Sequence, residues 1–396
     1  MSITAVNNAS DNQNWGGVLA MSLGAFALVA SEFMPVSLLT PIASDLHSTE
    51  GQAGQAIAIS GAFALVTSLF ITSLAGKLDR KILLLLLTVL VIVSGTIVAT
   101  APNYGVFMLG RALIGIAIGG FWSMSAVTAM RLVSEEKIPK ALAIVNGGNA
   151  LATVIAAPMG SYLGGLIGWR GAFFCVVPVA VITFVWLWTS LPSMKSDNNI
   201  GTGNALKLIK MPEVALGLIA VGLFFMGQFA LFTYLRPFLE TVTHVSLTKL
   251  SLILLVMGVS GFIGTLLIGR FLKDWLYRTL IIIPLLMAVI AIALTLFGYS
   301  PLLTTLLLGI WGLVGTAAPV AWWTWLAKTL PNDAEAGGGL IVAIVQLAIT
   351  AGATLGGILF DLSGYRATFW MSATILTIGA MFAFWTARIN VRLTSN

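Results

Sequence analysis

Apolar stretches of about 20 residues, separated by short polar interruptions, recur along the whole chain. Each is long enough to cross the roughly 30 Å hydrocarbon core of a bilayer as a helix. They lack the alternation typical of lipid-facing strands, so we expect an all-α membrane protein with twelve spans. The predicted spans, numbered in chain order, are 16–40, 52–75, 82–100, 104–130, 141–166, 168–191, 213–238, 247–271, 279–298, 302–328, 338–360 and 367–388.

One longer polar segment near the middle of the chain separates six predicted spans from six. The two groups echo each other, most clearly in LGGLIGWRGAF at 163–173 and LGGILFDLSGYRATF at 355–369. Two parallel six-helix repeats are typical of transporters that bind substrate between their halves. The predicted divisions are a tail at 1–15, an N-terminal half at 16–191, a linker at 192–212, a C-terminal half at 213–388 and a tail at 389–396.

Composition and charge agree with a membrane protein. The chain is 58% hydrophobic and only 9% charged, whereas about 25% of the residues of soluble domains are charged. Placing the N-terminus in the cytoplasm puts fifteen of the 20 Lys and Arg residues on the cytoplasmic side. Because positive residues concentrate in cytoplasmic loops, both termini are predicted to be cytoplasmic in a bacterial inner membrane. The net charge of +6 then reflects topology, and the partner is the lipid bilayer and not nucleic acid.

Several kinds of chemistry lack the residues they need. Cys175 is the single cysteine, and the two histidines, His47 and His244, fall in predicted outer loops. We therefore expect no metal site, no cofactor and no enzymatic activity. A Gly-rich phosphate-binding loop ending in Lys and Ser or Thr is also missing, which argues against ATP as the energy source.

Glu32 is the outstanding polar residue, because it lies inside an apolar run where a charge is costly and is usually functional. It lies about 12 Å below the predicted outer end of span 1, and Arg111 lies about 10 Å below that of span 4. The other acids fall in loops, at helix ends or near the outer interface. Burial favours the neutral form of Glu32 whereas a nearby guanidinium favours its charged form, so Glu32 could exchange a proton.

Four segments resemble motifs of the major facilitator superfamily. They are AGKLDRK at 75–81, LGRALIGIAIGG at 109–120, GGNALATVIAAPMGSYLGG at 147–165 and SEFMPVSLLTPIASDL at 31–46. The resemblance covers essentially the whole chain. It is to the drug and metabolite:proton antiporter branch of the superfamily, whose members have twelve helices. Within that branch the chain is most similar to bacterial purine ribonucleoside efflux pumps, and next to sugar efflux transporters. The fold implied is two pseudo-symmetric halves of six helices.

The resemblance implies roles for particular residues. Spans 1 and 4 line the central cavity of that fold, so Glu32 is the expected proton carrier and Arg111 pairs with it and releases it in turn. A static pair that only fixes helix packing is the alternative. Gating of the cavity is assigned to Gly76, Asp79, Arg80, Pro158 and Gly160.

Aromatic and amide side chains on the cavity helices are the expected substrate contacts, since a planar base or an amphipathic drug can stack on aromatic rings. Packing within the helix bundle is the alternative for each aromatic residue. The expected cavity residues are Phe33, Trp122, Asn146, Asn149, Phe225, Gln228, Phe229, Tyr234, Trp311, Trp322 and Gln346.

The resemblance therefore implies a monomeric, proton-coupled antiporter that exports small organic solutes. Purine ribonucleosides are the expected substrates, and multidrug export, with drug resistance, or sugar export is the alternative. A membrane receptor that does not transport is a more remote alternative.

Overall fold

A computed structural model of the protein describes residues 13–75, 78–194, 208–330 and 334–395, and these residues are helical with no strand among them. A short 3₁₀ turn at Glu135–Lys137 precedes the fifth helix. The helices are Trp15–Asp45, Glu50–Ala75, Arg80–Ala99, Tyr104–Arg131, Ile138–Phe174, Val176–Ser190, Pro212–Phe232, Leu235–Thr241, Leu247–Phe297, Pro301–Gly315, Ala318–Thr329 and Ala334–Ser395.

Nine helical segments in the described ranges are long and apolar enough to cross a membrane, and three of them are too long to cross it once. Those three contain 51 to 56 residues, more than twice the roughly 20 that one crossing needs. Each contains one residue with non-helical backbone angles: Gly168, Trp275 or Gly364. Each segment therefore supplies two spans, and the predicted fold of twelve spans is confirmed.

The span numbers are kept from here on. Spans 1 to 4 are the first four helices. Spans 5 and 6 meet at Gly168, spans 8 and 9 at Trp275, and spans 11 and 12 at Gly364. Spans 7 and 10 each consist of two short helices in line, within Pro212–Thr241 and Pro301–Thr329.

In each half, hydrogen bonds join the ends of helices that meet at one end of the bundle. At one end, here called the terminal side, the Asn14 N–H donates to the Leu132 carbonyl (2.9 Å), which joins the start of span 1 to the end of span 4. In the second half, Glu213 at the start of span 7 accepts from Tyr277 (3.1 Å) and from Asn390 (3.0 Å) near the end of span 12. The other end of the bundle is called the opposite side.

Two helices extend past the predicted span boundaries by a turn or more. Span 1 does not end near Thr40 but continues to Asp45, and span 12 continues through the predicted tail at 389–396 to Ser395. Residues 386–395 contain no Gly or Pro, so nothing in the sequence ends the helix there. Most of the predicted tail at 1–15 and of the predicted linker at 192–212 lies outside the described residues.

The two halves contact each other on the opposite side. Asp361 of span 11 accepts hydrogen bonds from the Gly51 N–H (2.9 Å) and from Thr49 (2.6 Å) at the start of span 2. One turn deeper, Thr354 donates to Gln55 (3.1 Å). Spans 5 and 8 form the second contact, in which the Ser251 and Ser161 hydroxyls are 2.9 Å apart.

The same helix faces separate towards the terminal side. The contacting face of span 2 leads to Leu69, and that of span 5 leads to Leu151; these side chains are 51% and 52% exposed. Gly147 lies on the same face as Ser161, and a Cβ atom there would meet nothing within 4 Å. The space between the halves is therefore open towards the terminal side and closed on the opposite side.

Two neighbouring glycines of span 5 offer a matched test of this packing. A Cβ atom on Gly148 would lie 1.9 Å from the Ser22 carbonyl oxygen of span 1, whereas one on Gly147 would lie in open space. We expect Gly148→Ala to destabilise the protein by about 1–3 kcal/mol, since the backbones must move apart. Gly147→Ala is expected to be neutral or to stabilise by ~0.5–1 kcal/mol. Thermal unfolding midpoints in detergent measure both, and equal midpoints would contradict the packing described.

Candidate functional site

Glu32 lies where the two halves meet at mid-depth. Glu32 is only 5% exposed, and its carboxylate lies close enough to the side chain of Gln346 on span 11 for the two to interact. A carboxylate of the first half thus interacts with an amide of the second half. Any change in the charge of Glu32 therefore acts on a contact between the halves.

Arg111 is fully buried and joins three spans of the first half. Its Nη1 donates to the Ser31 carbonyl (2.7 Å), and its Nη2 donates to the Glu32 carbonyl (2.9 Å). Its Nε donates to the Ala56 carbonyl of span 2 (3.1 Å), and Ser60 accepts a further bond from Nη2 (3.3 Å). The guanidinium is therefore held mainly by backbone oxygens.

Pro35 explains why the Ser31 carbonyl is available to Arg111. In a helix that carbonyl would accept from the N–H four residues later, but residue 35 is proline and has no N–H. A buried carbonyl without a donor is costly, and Arg111 supplies the donor. The two charges of Arg111 and Glu32 interact electrostatically. The alternating pairing between them stays a prediction, and this geometry favours Arg111 as a clamp on spans 1, 2 and 4.

Aromatic rings of both halves meet beside Glu32. The ring centroid of Phe33 lies 5.6 Å from that of Phe229 and 6.5 Å from that of Phe232, and the last two are 5.9 Å apart. Phe225 packs into the same cluster. Sequence reasoning missed Phe232, although the spacing of residues 225, 229 and 232 places all three on one helix face. The cluster offers flat apolar surface next to the buried carboxylate.

Two buried amides have an unused acceptor. In the described part of the chain, the side-chain oxygens of Gln228 on span 7 and Gln346 on span 11 have no hydrogen-bond partner. Buried acceptors without a donor cost free energy, so a ligand with N–H or O–H groups would gain by reaching them. These two oxygens are the strongest indication of a polar ligand in the described residues.

Span 5 brings its two predicted amides towards the same region. Asn149 lies on the helix face of Ala152 and Ala156, two residues that pack with Phe33 and Trp122. Asn146 lies one turn nearer the terminal side, where it is exposed and donates to the carbonyl of Leu142 in its own helix (2.9 Å). Asn149 is therefore close to the aromatic cluster, and Asn146 lies on the approach to it.

The remaining predicted cavity residues lie elsewhere. Trp311 and Trp322 are buried in the hydrophobic core of the second half, where packing accounts for them. Tyr234 is fully buried between the halves: its hydroxyl donates to the Ala353 carbonyl (2.7 Å) and its ring stacks on Phe360. Tyr234 therefore forms part of the closed opposite side.

Two predicted gating residues on the terminal side hold the start of span 3. Asp79 caps this helix by accepting from the Lys81 N–H (2.7 Å) and from Ser193. Burial raises the pKa of Asp79, but the hydrogen bonds from Ser193 and from nearby backbone groups together outweigh burial and keep the pKa below the usual range. The Arg80 N–H donates to the Met194 carbonyl (3.0 Å), which ties span 3 to the end of the first half. Gly76 lies outside the described residues.

Pro158 and Gly160 lie where span 5 touches its neighbours. A Cβ atom on Gly160 would lie 2.5 Å from the Ser37 hydroxyl of span 1, so the close approach requires glycine. Pro158 leaves the Val154 carbonyl without its usual helical donor. Gly258 of span 8 packs against that oxygen, since a Cβ atom there would lie 2.7 Å from it. Both residues therefore permit close helix contacts on the closed side.

Comparison with known proteins places these features in context. The profile of the Major Facilitator Superfamily matches residues 21–344. A protein of Pseudomonas aeruginosa named "Transcription regulatory protein OpdE" is 62% identical over 389 residues, 97% of each chain. The "Purine ribonucleoside efflux pump NepI" of Escherichia coli K12 is 39% identical over 385 residues, again 97% of each chain.

A solved structure shares the fold. It is a bacterial homolog of the human lysosomal transporter Spinster, in an inward-facing and unoccupied conformation. It superposes with a TM-score of 0.78 at 17% sequence identity and covers 96% of this chain and 98% of its own.

Proposed function

Since this chain belongs to the major facilitator superfamily, we propose that it exports purine ribonucleosides in exchange for protons. The observation that carries the proposal is the position of Glu32, a buried carboxylate in contact with an amide of the other half. The protein is a multi-pass membrane transporter. We place it in the bacterial inner membrane with the terminal side in the cytoplasm, because Lys and Arg concentrate there.

Glu32 can link proton binding to movement of the halves. When charged, its carboxylate interacts favourably with the Gln346 amide and with Arg111. Protonation from the opposite side neutralises the carboxylate and weakens both interactions. The proton then leaves when the site is open to the terminal side and the substrate binds. No cofactor is needed, because the proton gradient supplies the energy.

The substrate class follows from the relative and from the chemistry of the site. A purine base can stack against the cluster of Phe33, Phe229 and Phe232. Its N–H groups and the ribose hydroxyls can donate hydrogen bonds, and the side-chain oxygens of Gln228 and Gln346 have no donor of their own. The E. coli relative is named for purine ribonucleoside efflux. Sugars and cationic drugs fit this set less well, because sugars lack a planar aromatic ring and cationic drugs lack several hydrogen-bond donors.

Labelled inosine in sealed proteoliposomes tests the proposal. With the pH gradient imposed so that protons leave as inosine enters, accumulation of about tenfold per pH unit is expected for one proton per substrate. An uncoupler should abolish the accumulation, whereas inosine should still equilibrate slowly across the membrane. If inosine fails to move while a sugar or a cationic dye triggers proton flux, the nucleoside assignment is wrong and export of another solute replaces it.

A regulatory function is the second candidate, because the P. aeruginosa relative with 62% identity is named for transcription regulation. A membrane receptor would bind the solute without moving it across the bilayer. Quenching of tryptophan fluorescence by inosine in detergent, with no inosine crossing a sealed vesicle, would favour a receptor. Binding together with transport would favour the transporter.

A further inference from the structure

We propose that Arg236 of span 7 is a gating residue that holds the opposite side closed, and that Pro41 of span 1 creates its binding partner. Arg236 is buried, and its Nη1 donates to the Ser37 carbonyl of span 1. Its Nε donates to Glu240 one turn later (2.8 Å). The contact joins the second half to the first. Only its role in the transport cycle rests on the proposed function.

Pro41 leaves the Ser37 carbonyl without a donor in its own helix. The carbonyl at position 37 would normally accept from the N–H at position 41, and proline has none. Ser37 is fully buried, so water does not replace that donor in the closed state. The Arg236 guanidinium fills the vacancy with a charge-assisted hydrogen bond, which is stronger than a neutral one.

Span 1 thus has two carbonyls freed by proline, and each binds an arginine. The donor to Ser31 is Arg111 of the same half, so that bond can persist when the halves move. The donor to Ser37 is Arg236 of the other half, so that bond must break when the opposite side opens. Glu240 moves with Arg236 because both lie on the short helix Leu235–Thr241. On opening, Arg236 therefore keeps its bond to Glu240 and replaces only the Ser37 carbonyl by water.

The distance across the opposite side measures this contact directly. Spin labels at Thr100→Cys and Tyr299→Cys, both exposed and in different halves, report the separation in a Cys175→Ser background. The native protein should give mainly the short distance. Arg236→Met removes a hydrogen bond from a charged group, so we expect the ratio of open to closed protein to rise about tenfold. Arg236→Lys keeps the charge but loses the planar set of donors, so the ratio of open to closed protein should rise less in this variant.

Pro41→Ala tests why the contact exists. Alanine restores the N–H that donates to Ser37, so loss of Arg236 no longer leaves a buried carbonyl unpaired. In that background Arg236→Met should change the ratio by about twofold or less. Arg170→Met is the matched control: Arg170 also donates to a backbone carbonyl on the opposite side, that of Ala101 (2.7 Å), but within one half. Its replacement should leave the ratio unchanged.

Two results would overturn the proposal: an unchanged distance distribution in Arg236→Met, or an equal effect of that substitution with and without Pro41. The measurement needs no substrate, so it is separate from the inosine assay. A shift in Arg236→Met alongside a native protein that moves no inosine would support the gating contact and reject only the nucleoside assignment.

Discussion

Glu32→Gln is expected to abolish uphill accumulation of inosine while leaving downhill exchange intact. Glutamine has the same shape and can still bond to Gln346, but it cannot carry a proton. With a gradient of 2 pH units, one exchanged proton supports an accumulation of about 100-fold, and its loss reduces the final ratio to about one. Parallel measurements of gradient-driven uptake and of exchange with equal pH on both sides test this expectation.

Glu136→Gln is the matched control for this substitution. Glu136 is exposed on the terminal side, far from the contact between the halves, so the same chemical change should leave uptake unaltered. Loss of exchange together with uptake would indicate misfolding. If Glu32→Gln accumulates inosine as well as the native protein, Glu32 is not the proton carrier and its role is to fix helix packing.

Arg111→Met is expected to destabilise the protein by about 3–5 kcal/mol, because it leaves buried carbonyls without donors and Glu32 without its nearest positive charge. Adding Pro35→Ala should recover part of the loss, since the alanine N–H can donate to Ser31. The thermal midpoint and the yield of monodisperse protein in detergent measure both effects.

Arg111→Lys distinguishes the clamp from the alternating partner. Lysine keeps the charge but cannot reach three carbonyls with a planar fork. Under the clamp interpretation its stability falls nearly as far as that of Arg111→Met. Normal stability with loss of coupling between proton and inosine movement would instead identify Arg111 as the alternating partner of Glu32.

Much of the fold could be predicted because a bilayer imposes one simple requirement, about 20 apolar residues for each helical crossing. That requirement located all twelve spans but not their internal breaks. Span 7 is interrupted at Thr233–Tyr234 and span 10 near Thr316. Pro237 and Pro319 follow these breaks and cannot accommodate the carbonyl four residues earlier in a regular helix. Proline alone does not locate a break, however, because Pro35 and Pro41 lie within the continuous helix of span 1.

Part of the site could be predicted for a different reason. Polar groups are so costly in a membrane that Glu32, Arg111 and Gln346 stand out in the sequence, and the structure brings Glu32 together with both of the others. Tryptophans carry no such signal, because Trp311 looks the same in a core as in a cavity. The backbone partners of Arg111 were missed because a carbonyl is present at every residue. Only a proline four positions later marks the one that is free.

The backbone acceptors around Arg111 also affect how this protein can change over evolutionary time. Side chains at positions 31 and 56 contribute no atom to the bonds that Arg111 makes there, since both acceptors are main-chain oxygens. Both residues are buried, so substitutions there can change the local helix packing while the acceptors of the clamp remain. The clamp can therefore persist while the sequence at the positions it binds drifts.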